Sequence, residues 1–467
     1  MAYSFLLLVM TCLAVIQSGS AYNILVLSPI TTPSHTNILK PLVMALADER
    51  GHSVTYWNGL KPPSTFNSTT NNLRVLHSPK LAEINSDHQI GFNDRNSAFR
   101  LFFDIPKRMK MYCTAVYQDP VFHQLMNNTM RERYDLIVIE GVFNECSLLL
   151  AKALDLPFIY FNCFLPPPWL LDAIGSPLAS DYFPHPGLSY TDEMNIWQRT
   201  FNLLTGVFVV YFHRWYVMST VDRVAANVLG MENLTSVLEI ENRYLSLLMT
   251  NTHFSINYEY PTPPAVVQVG GLHCVPSKPL PEELESFVNG SGDDGFIIVS
   301  FGSILKNADV PDGIRRLFLS TFARLEQRVI FKWEDDSKIK DDDHIPPNVK
   351  LMSWMPQVDL LGHPKIRLFI THCGLNSKQE AVYNGVPFIA LPVFADQPIN
   401  AQKAQDDGYA IRLDWDNLTE EILYDAIQRI LFDPRSITEF VKINKFPISR
   451  DKGLKVCLIC IIDMPGG

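Results

Sequence analysis

Apolar runs of strand length recur along the chain, each uniformly hydrophobic and each followed by a stretch whose apolar positions fall three and four apart. NILVLSP (23–29), SVTYW (53–57), YDLIVIE (134–140), PFIYFN (157–162), GFIIVSFGS (295–303), VIFKW (329–333), VKLMSW (349–354) and IRLFITH (366–372) are the clearest. A strand buried on both faces carries the uniform pattern, and an amphipathic helix carries the other. Their alternation over short connections predicts an α/β fold built on doubly wound parallel sheets. At 467 residues the chain exceeds one core, so two domains are expected. The Pro-rich PTPP and the following VGGLH mark the break. This gives an N-terminal domain over 22–260, a linker over 261–285, a C-terminal domain over 286–451 and an atypical tail over 452–467.

Two stretches depart from the rhythm. Residues 61–133 read as loop-rich and mixed, with amphipathic runs such as SAFRLFFDIPKRMKMYCTAVY. Residues 197–219 (WQRTFNLLTGVFVVYFHRWYVMS) are strongly apolar and aromatic, but Arg199, His213 and Arg214 interrupt them. The apolar part is too short to cross a bilayer, so a buried or membrane-grazing helix is expected there.

In an open parallel sheet, ligands bind beyond the carboxyl ends of the strands. His35 lies in the loop ITTPSH after the first strand, and Glu140 closes the strand of 134–140. From the residues alone, His35 is a helix-starting loop histidine or a proton acceptor. Glu140 is a cap for the helix beginning near Asn144 or a partner that orients an imidazole, with Glu145 and Asp135 as substitutes. In the second half, the tight Gly302-Ser303 turn lets backbone and hydroxyl approach a phosphate. The strand ending in His372 runs through Cys373-Gly374 into a helical spacing through Asn376, Glu380 and Tyr383. Free amides at such a helix start make a phosphate seat.

The ordered run Trp354, Gln357, His372-Cys373-Gly374, Asn376, Glu380 and Asp396-Gln397 spans 354–397. It resembles the signature of the UDP-glycosyltransferases, two-domain enzymes that move a sugar from a UDP-sugar to a small acceptor. The resemblance implies the GT-B architecture, two facing Rossmann-like domains with an interdomain cleft. It implies that His372, Gly374 and Asn376 hold the diphosphate, with Ser303 and Ser377 beside them, and that Glu380 grips the ribose. Asp396 and Gln397 would hold the sugar hydroxyls, and Trp354 and Gln357 the uracil and ribose. By the same resemblance His35 is the general base and Glu140, where an aspartate is often found, orients it. The reaction is then an inverting, metal-independent transfer to a hydroxyl of a small lipophilic acceptor, as in detoxification, with no cofactor beyond the UDP-sugar co-substrate. Glucose is the expected sugar because the Asp-Gln pair suits neutral hydroxyls. Arg412 leaves glucuronic acid open.

Charge and composition narrow the partners. A net charge of −10 argues against a nucleic acid. The start of the chain, with an apolar core from Phe5 to Ile16 and a cleavage-like SGSA, reads as a signal peptide over 1–21. Sequons at Asn67, Asn127, Asn233, Asn289 and Asn417 fit a glycoprotein of the endoplasmic reticulum lumen. Once the signal is removed, the seven cysteines left are scattered and odd in number, which suggests no disulfide framework. Cys457 and Cys460 form a C-x-x-C in an apolar tail, an unpromising zinc or redox site. Asp414-Trp415-Asp416 spells a D-x-D, but in a polar stretch that argues against a metal role. The resemblance stops near Asp451. Family members continue into a bracing helix and a membrane anchor, whereas here VCLICII is too short to span. The expectation is therefore a lumenal or secreted product unless 197–219 or a retained signal holds it at a membrane. Homo- or hetero-oligomers with relatives stay open, as does a catalytically silent truncated isoform that binds ligand or dampens full-length relatives.

Overall fold

The computed structural model describes residues 21–432 except 62–65, 67–69, 87–91, 93–97, 128–132, 232–233, 303–309 and 335–343. Residues 1–20 of the expected signal peptide, Asn67, Asn233, Ser303 and the tail 452–467 therefore lie outside the described residues.

The uniform apolar runs form two parallel sheets. The first contains β1 (Asn23–Ser28), β2 (Ser53–Asn58), β3 (Leu73–His77), β4 (Leu136–Glu140), β5 (Phe158–Asn162), β6 (Leu245–Thr250) and β7 (Val266–Gln268), in the order 3-2-1-4-5-6-7. The second contains β8 (Phe296–Ser300), β9 (Arg328–Lys332), β10 (Val349–Met352), β11 (Ile366–Thr371), β12 (Phe388–Ala390) and β13 (Ala410–Arg412), in the order 10-9-8-11-12-13. Both sheets reverse winding between two central strands, β1 and β4 in one and β8 and β11 in the other. That switch point leaves a crevice beyond the carboxyl ends. His35 and Glu140 flank the first crevice; Ser300 to Gly302 and His372 to Asn376 flank the second.

Helices cover both faces of each sheet, so β1, β4, β5, β8 and β11 lie in dry cores, with Leu25, Val26, Ile137, Ile298 and Ile370 fully buried. That burial on both sides is what the lack of alternation in their sequences encodes.

Three features differ from the sequence expectations. The stretch 61–133 is more regular than expected, with β3, a helix Pro79–Ser86, a twenty-residue helix Ala98–Tyr117 and a helix Pro120–Met126. Pro106 inside the long helix breaks the sequence pattern without ending the helix. Cys113 and Cys146 form one disulfide, where the scattered, odd set of cysteines suggested no disulfide framework. It ties the long helix to the turn after β4. The apolar segment 197–219 belongs to a longer helical element: Ile196–Phe212, a π turn His213–Val217, and Met218–Leu229. Trp197, Leu204, Tyr211 and Trp215 on it are exposed. Among the described residues no helix is long and apolar enough to cross a membrane.

Candidate active site

The N-terminal half of the site grows out of a helix cap. Thr32 caps the helix Pro33–Met44, and its side chain accepts the backbone N–H of His35 at 3.4 Å. Pro33 at the first helical position fixes the entry. His35 is thereby held in the first turn with its ring over the end of β4. Its Nδ1 lies 3.2 Å from Oε1 of Glu140, whose side chain is fully buried. The other carboxylate oxygen accepts from Asn144 Nδ2 at 2.6 Å. Asn144 is fastened to the loop after β1, giving and taking a bond with the backbone of Ile30, each 2.9 Å. Burial raises the Glu140 carboxyl above its usual range, and the His35 imidazole opposes that rise. Cys163, at the end of β5, adds a thiol to the cluster: His35, Glu140 and Cys163 each bring one atom within 4.8 Å of the others. Burial raises this thiol well above its usual range, and a bond to Glu140 adds to the rise.

The C-terminal half forms around His372. Cys373 takes a left-handed backbone, φ 62°, so the chain turns sharply from β11 into the helix Leu375–Asn384. The imidazole fits between two glycines. A Cβ on Gly374 would stand 2.6 Å from its Nε2, and one on Gly302 2.7 Å. Gly374 also caps the helix without a side chain. The amides of Leu375, Asn376 and Ser377 therefore face the cleft without an intrahelical acceptor, as an anion seat requires. Burial, with help from Lys332, lowers the His372 pKa to about 4, so near neutral pH the ring is a neutral hydrogen-bonding group.

Polar side chains occupy the rest of this cleft, which encloses about 430 Å³. Gln357 Nε2 donates to Glu380 at 2.6 Å and to Ser377 Oγ at 3.2 Å. Burial raises Glu380 to about 7, against the Gln357 bond. Trp354 is 65% exposed on the rim, with the Lys332 ammonium 5.8 Å from its ring centre. Asp396 follows Ala395, which has a left-handed φ of 55°, and its carboxylate accepts from Asn400 at 2.7 Å. Burial raises the Asp396 pKa, whereas Asn400 and the nearby His35 lower it. Gln397 Oε1 accepts the amides of Val393 and Phe394, so its side chain braces the loop that presents Asp396.

Asn376 has a second task. Its Nδ2 donates to the backbone oxygen of Ser34 at 3.2 Å and its Oδ1 accepts from Asn251 at 3.3 Å. It joins the two halves immediately beside His35.

The structure thus brings His35, Glu140, Trp354, Gln357, His372, Gly374, Asn376, Ser377, Glu380, Asp396 and Gln397 to one region. All but Glu140, which lies behind His35, line the cleft. Arg412 instead donates to Gln402 and Ser189 and lines neither the cleft nor the cavity beside it. Asp414 caps the turn Trp415–Asn417 by accepting from the amide of Asp416. Sequence reasoning missed Lys332, His273 and Cys163. Lys332 ends β9 and donates to the Gly302 oxygen at 2.5 Å. His273, lowered to about 4 by burial, sits 3.8 Å from Glu380.

Beyond His35 a second cavity of about 380 Å³ opens, walled mostly by apolar and aromatic side chains such as Phe102, Phe143, Trp169 and Phe208. His35, Phe164, Phe394, Ala395 and Asp396 line both spaces. A polar cleft with an anion seat therefore meets an apolar chamber at an imidazole.

Two facing Rossmann-like sheets with such a shared cleft define a GT-B glycosyltransferase. The calicheamicin glycosyltransferase CalG4 has the same fold, with a TM-score of 0.61 at 17% identity over 95% of this chain and 99% of that one. The chain belongs to the UDP-glucoronosyl and UDP-glucosyl transferase family, whose profile matches residues 38–452. It is 30% identical to UDP-glycosyltransferase UGT5 of Dactylopius coccus over 91% of this chain and 80% of that protein. It is 32% identical to human UDP-glucuronosyltransferase 2B7 over 78% of this chain and 66% of the relative.

Proposed function

We propose that this chain transfers a sugar from a UDP-sugar, with glucose as the favoured donor, to a hydroxyl of a small lipophilic acceptor, inverting the anomeric carbon. One observation carries the reading: His35, paired with buried Glu140, lines both the polar cleft and the apolar cavity.

The diphosphate lies at the amides of Leu375 to Ser377 and against His372, where helix dipole and imidazole stabilise the departing charge. Ser303 is proposed to join them from the Gly302 turn. Glu380 and Gln357 take the ribose hydroxyls, and Trp354 stacks on the uracil. Asp396 and the amide nitrogen of Gln397 hold the sugar. An acceptor in the apolar cavity presents its hydroxyl to His35 Nε2. Glu140 holds the other ring nitrogen in its protonated form and steadies the imidazolium that arises. The acceptor oxygen attacks the anomeric carbon as the bond to the diphosphate breaks; the hydroxyl proton ends on His35 and UDP departs.

Glucose is favoured because Arg412, the cation considered for a glucuronate carboxylate, is engaged with Gln402 and Ser189. The step uses no metal. The silent-carrier alternative is not favoured, because the pairing of His35 with Glu140 and the helix-start amides beside His372 fit a transfer reaction. Asn127, Asn289 and Asn417 are exposed, as glycans in the secretory pathway require. The exposed aromatic face of 196–217 suits a membrane surface.

The test is UDP release with a simple phenol and UDP-glucose, UDP-galactose or UDP-glucuronate, with the product anomer read by NMR. A β-glucoside made fastest, unaffected by EDTA, is expected. A retained α anomer, or turnover that collapses in EDTA, would refute the mechanism.

A further inference from the structure

The proposed base sits in a cluster that the transfer reaction does not use in full. His35 comes from the first turn of the helix Pro33–Met44, Glu140 from the end of β4 and Cys163 from the end of β5. One ring nitrogen, one carboxylate oxygen and the sulfur lie within 4.8 Å of one another. Transfer employs the imidazole and the carboxylate, and nothing in it employs the thiol. Among the described residues no other three histidine, cysteine or acidic side chains come together in this way.

An imidazole nitrogen, a carboxylate oxygen and a thiolate are ligands for Zn2+ and softer divalent ions, whereas Mg2+ and Ca2+ take oxygen. Two ligands bonded to a tetrahedral ion at about 2.0–2.3 Å stand ~3.5 Å from each other. The 3.2 Å between His35 Nδ1 and Glu140 Oε1 is already close to that span. Oε1 is buried and met by no well-aligned donor, so its lone pairs are open to an ion. The other oxygen accepts from Asn144 Nδ2 at 2.6 Å, and Asn144 is itself bonded to the backbone of Ile30. The carboxylate is therefore oriented from behind, as outer-shell partners orient metal ligands. An ion reaches the cluster from the polar cleft, because His35 and Cys163 both line it and the His35 side chain keeps 19% of its surface exposed. Glu140 forms the inner wall. Three protein ligands with the fourth side toward a cleft make an accessible site, not a sealed structural one.

We infer that His35, Glu140 and Cys163 form an inhibitory site for a soft divalent cation, Zn2+ above all. The ion binds Nδ1, Oε1 and Sγ, and the protons of Nδ1 and the thiol pass to solvent. Transfer needs Nδ1 protonated against Glu140 and Nε2 free to take a proton. With the ion on Nδ1 the carboxylate no longer serves the ring, and a positive charge across the imidazole makes Nε2 a poor base. Turnover stops, although the diphosphate seat at His372 and the helix amides is untouched. Inhibition rests on the reading of His35 as the base; binding of the ion does not. The ion takes no part in the transfer, so its removal raises activity.

The experiment uses the full chain carrying Cys457→Ser and Cys460→Ser, because that C-x-x-C could itself take a soft ion. Co2+ is titrated first, as a spectroscopic stand-in for Zn2+. One equivalent should bring up the near-ultraviolet charge-transfer band of a cobalt-bound thiolate, and Cys163→Ser should abolish it. UDP release with a phenol and UDP-glucose is then followed against buffered free Zn2+, each protein being compared with its own metal-free rate. Zn2+ should inhibit, EDTA should restore the rate, and Cys163→Ser should raise the Zn2+ concentration for half-inhibition at least about tenfold. Absence of the cobalt band overturns the site, and that reading needs no variant at position 163 to fold. Equal inhibition with and without the Cys163 thiol places the ion elsewhere and overturns it as well. A Cys163-dependent band in an enzyme that Zn2+ leaves fully active overturns the inhibitory role. Failure of every acceptor with every UDP-sugar would instead sink the transferase reading, and the cobalt titration would still decide whether the ion binds.

Discussion

Replacing Glu140 by glutamine tests the pairing of base and carboxylate without changing shape. In the native protein Oε2 is fixed as an acceptor by Asn144 Nδ2 at 2.6 Å, and Oε1 faces His35 Nδ1 at 3.2 Å. A glutamine must keep its oxygen toward Asn144, so its NH2 turns to His35. Nδ1 then becomes the acceptor, and the ring proton moves to Nε2, the atom that has to receive the acceptor's proton. The variant holds the wrong tautomer and has also lost the charge that steadies the imidazolium. Where a buried carboxylate serves an imidazole in this way, the amide costs about 10⁴ in kcat, or roughly 5 kcal/mol. The expected outcome is a fall in kcat of about 10³–10⁴ with little change in KM for the UDP-sugar, because Glu140 does not line the donor cleft. The assay is UDP release across pH, since a tautomer defect is not repaired by raising pH. A Glu140→Gln enzyme within about tenfold of the natural chain would refute the relay.

Further outcomes follow from other parts of the site. Gly374→Ala would set a Cβ 2.6 Å from His372 Nε2 and push the ring off the diphosphate seat, lowering kcat/KM about 10²-fold; wild-type kinetics would refute that placement. Burial raises the folded Glu380 carboxyl to about 7, above its ordinary value of 4.5, so its contribution to stability falls as pH rises between those values. Ribose hydroxyls need the ionised form, so UDP affinity by calorimetry should rise about tenfold from pH 6 to 8, and Glu380→Gln should flatten that rise. The Cys113–Cys146 bond joins residues 33 apart. Its removal by Cys113→Ala with Cys146→Ala should cost about 3–4 kcal/mol in denaturant titration, with an unchanged midpoint as the contrary result.

The parts legible in the sequence were those with a local cause. Uniform runs such as LIVIE and FITH announced strands buried on both faces, and a histidine and a carboxylate each placed just past a strand end could be assigned to one edge. Contacts between distant segments left weaker traces. Lys332 closes a buried run as though it were core, and only the fold shows it bonded to Gly302. His273 stood in a stretch read as linker. Asn376 matched a signature position, yet its side chain bridges to Ser34, a contact across 342 positions that no spacing encodes. The cysteines misled because an odd, scattered set hides one good pair. Pro106 hid a helix because local propensity disfavours what packing enforces.

The role of His35 is read by comparing His35→Ala with the natural chain in two ways, UDP release with a phenol and UDP affinity. Release should fall by at least about 10²-fold while affinity stays unchanged, because His35 takes the acceptor proton and the diphosphate is held from the other half. Equal release by the two proteins would contradict it.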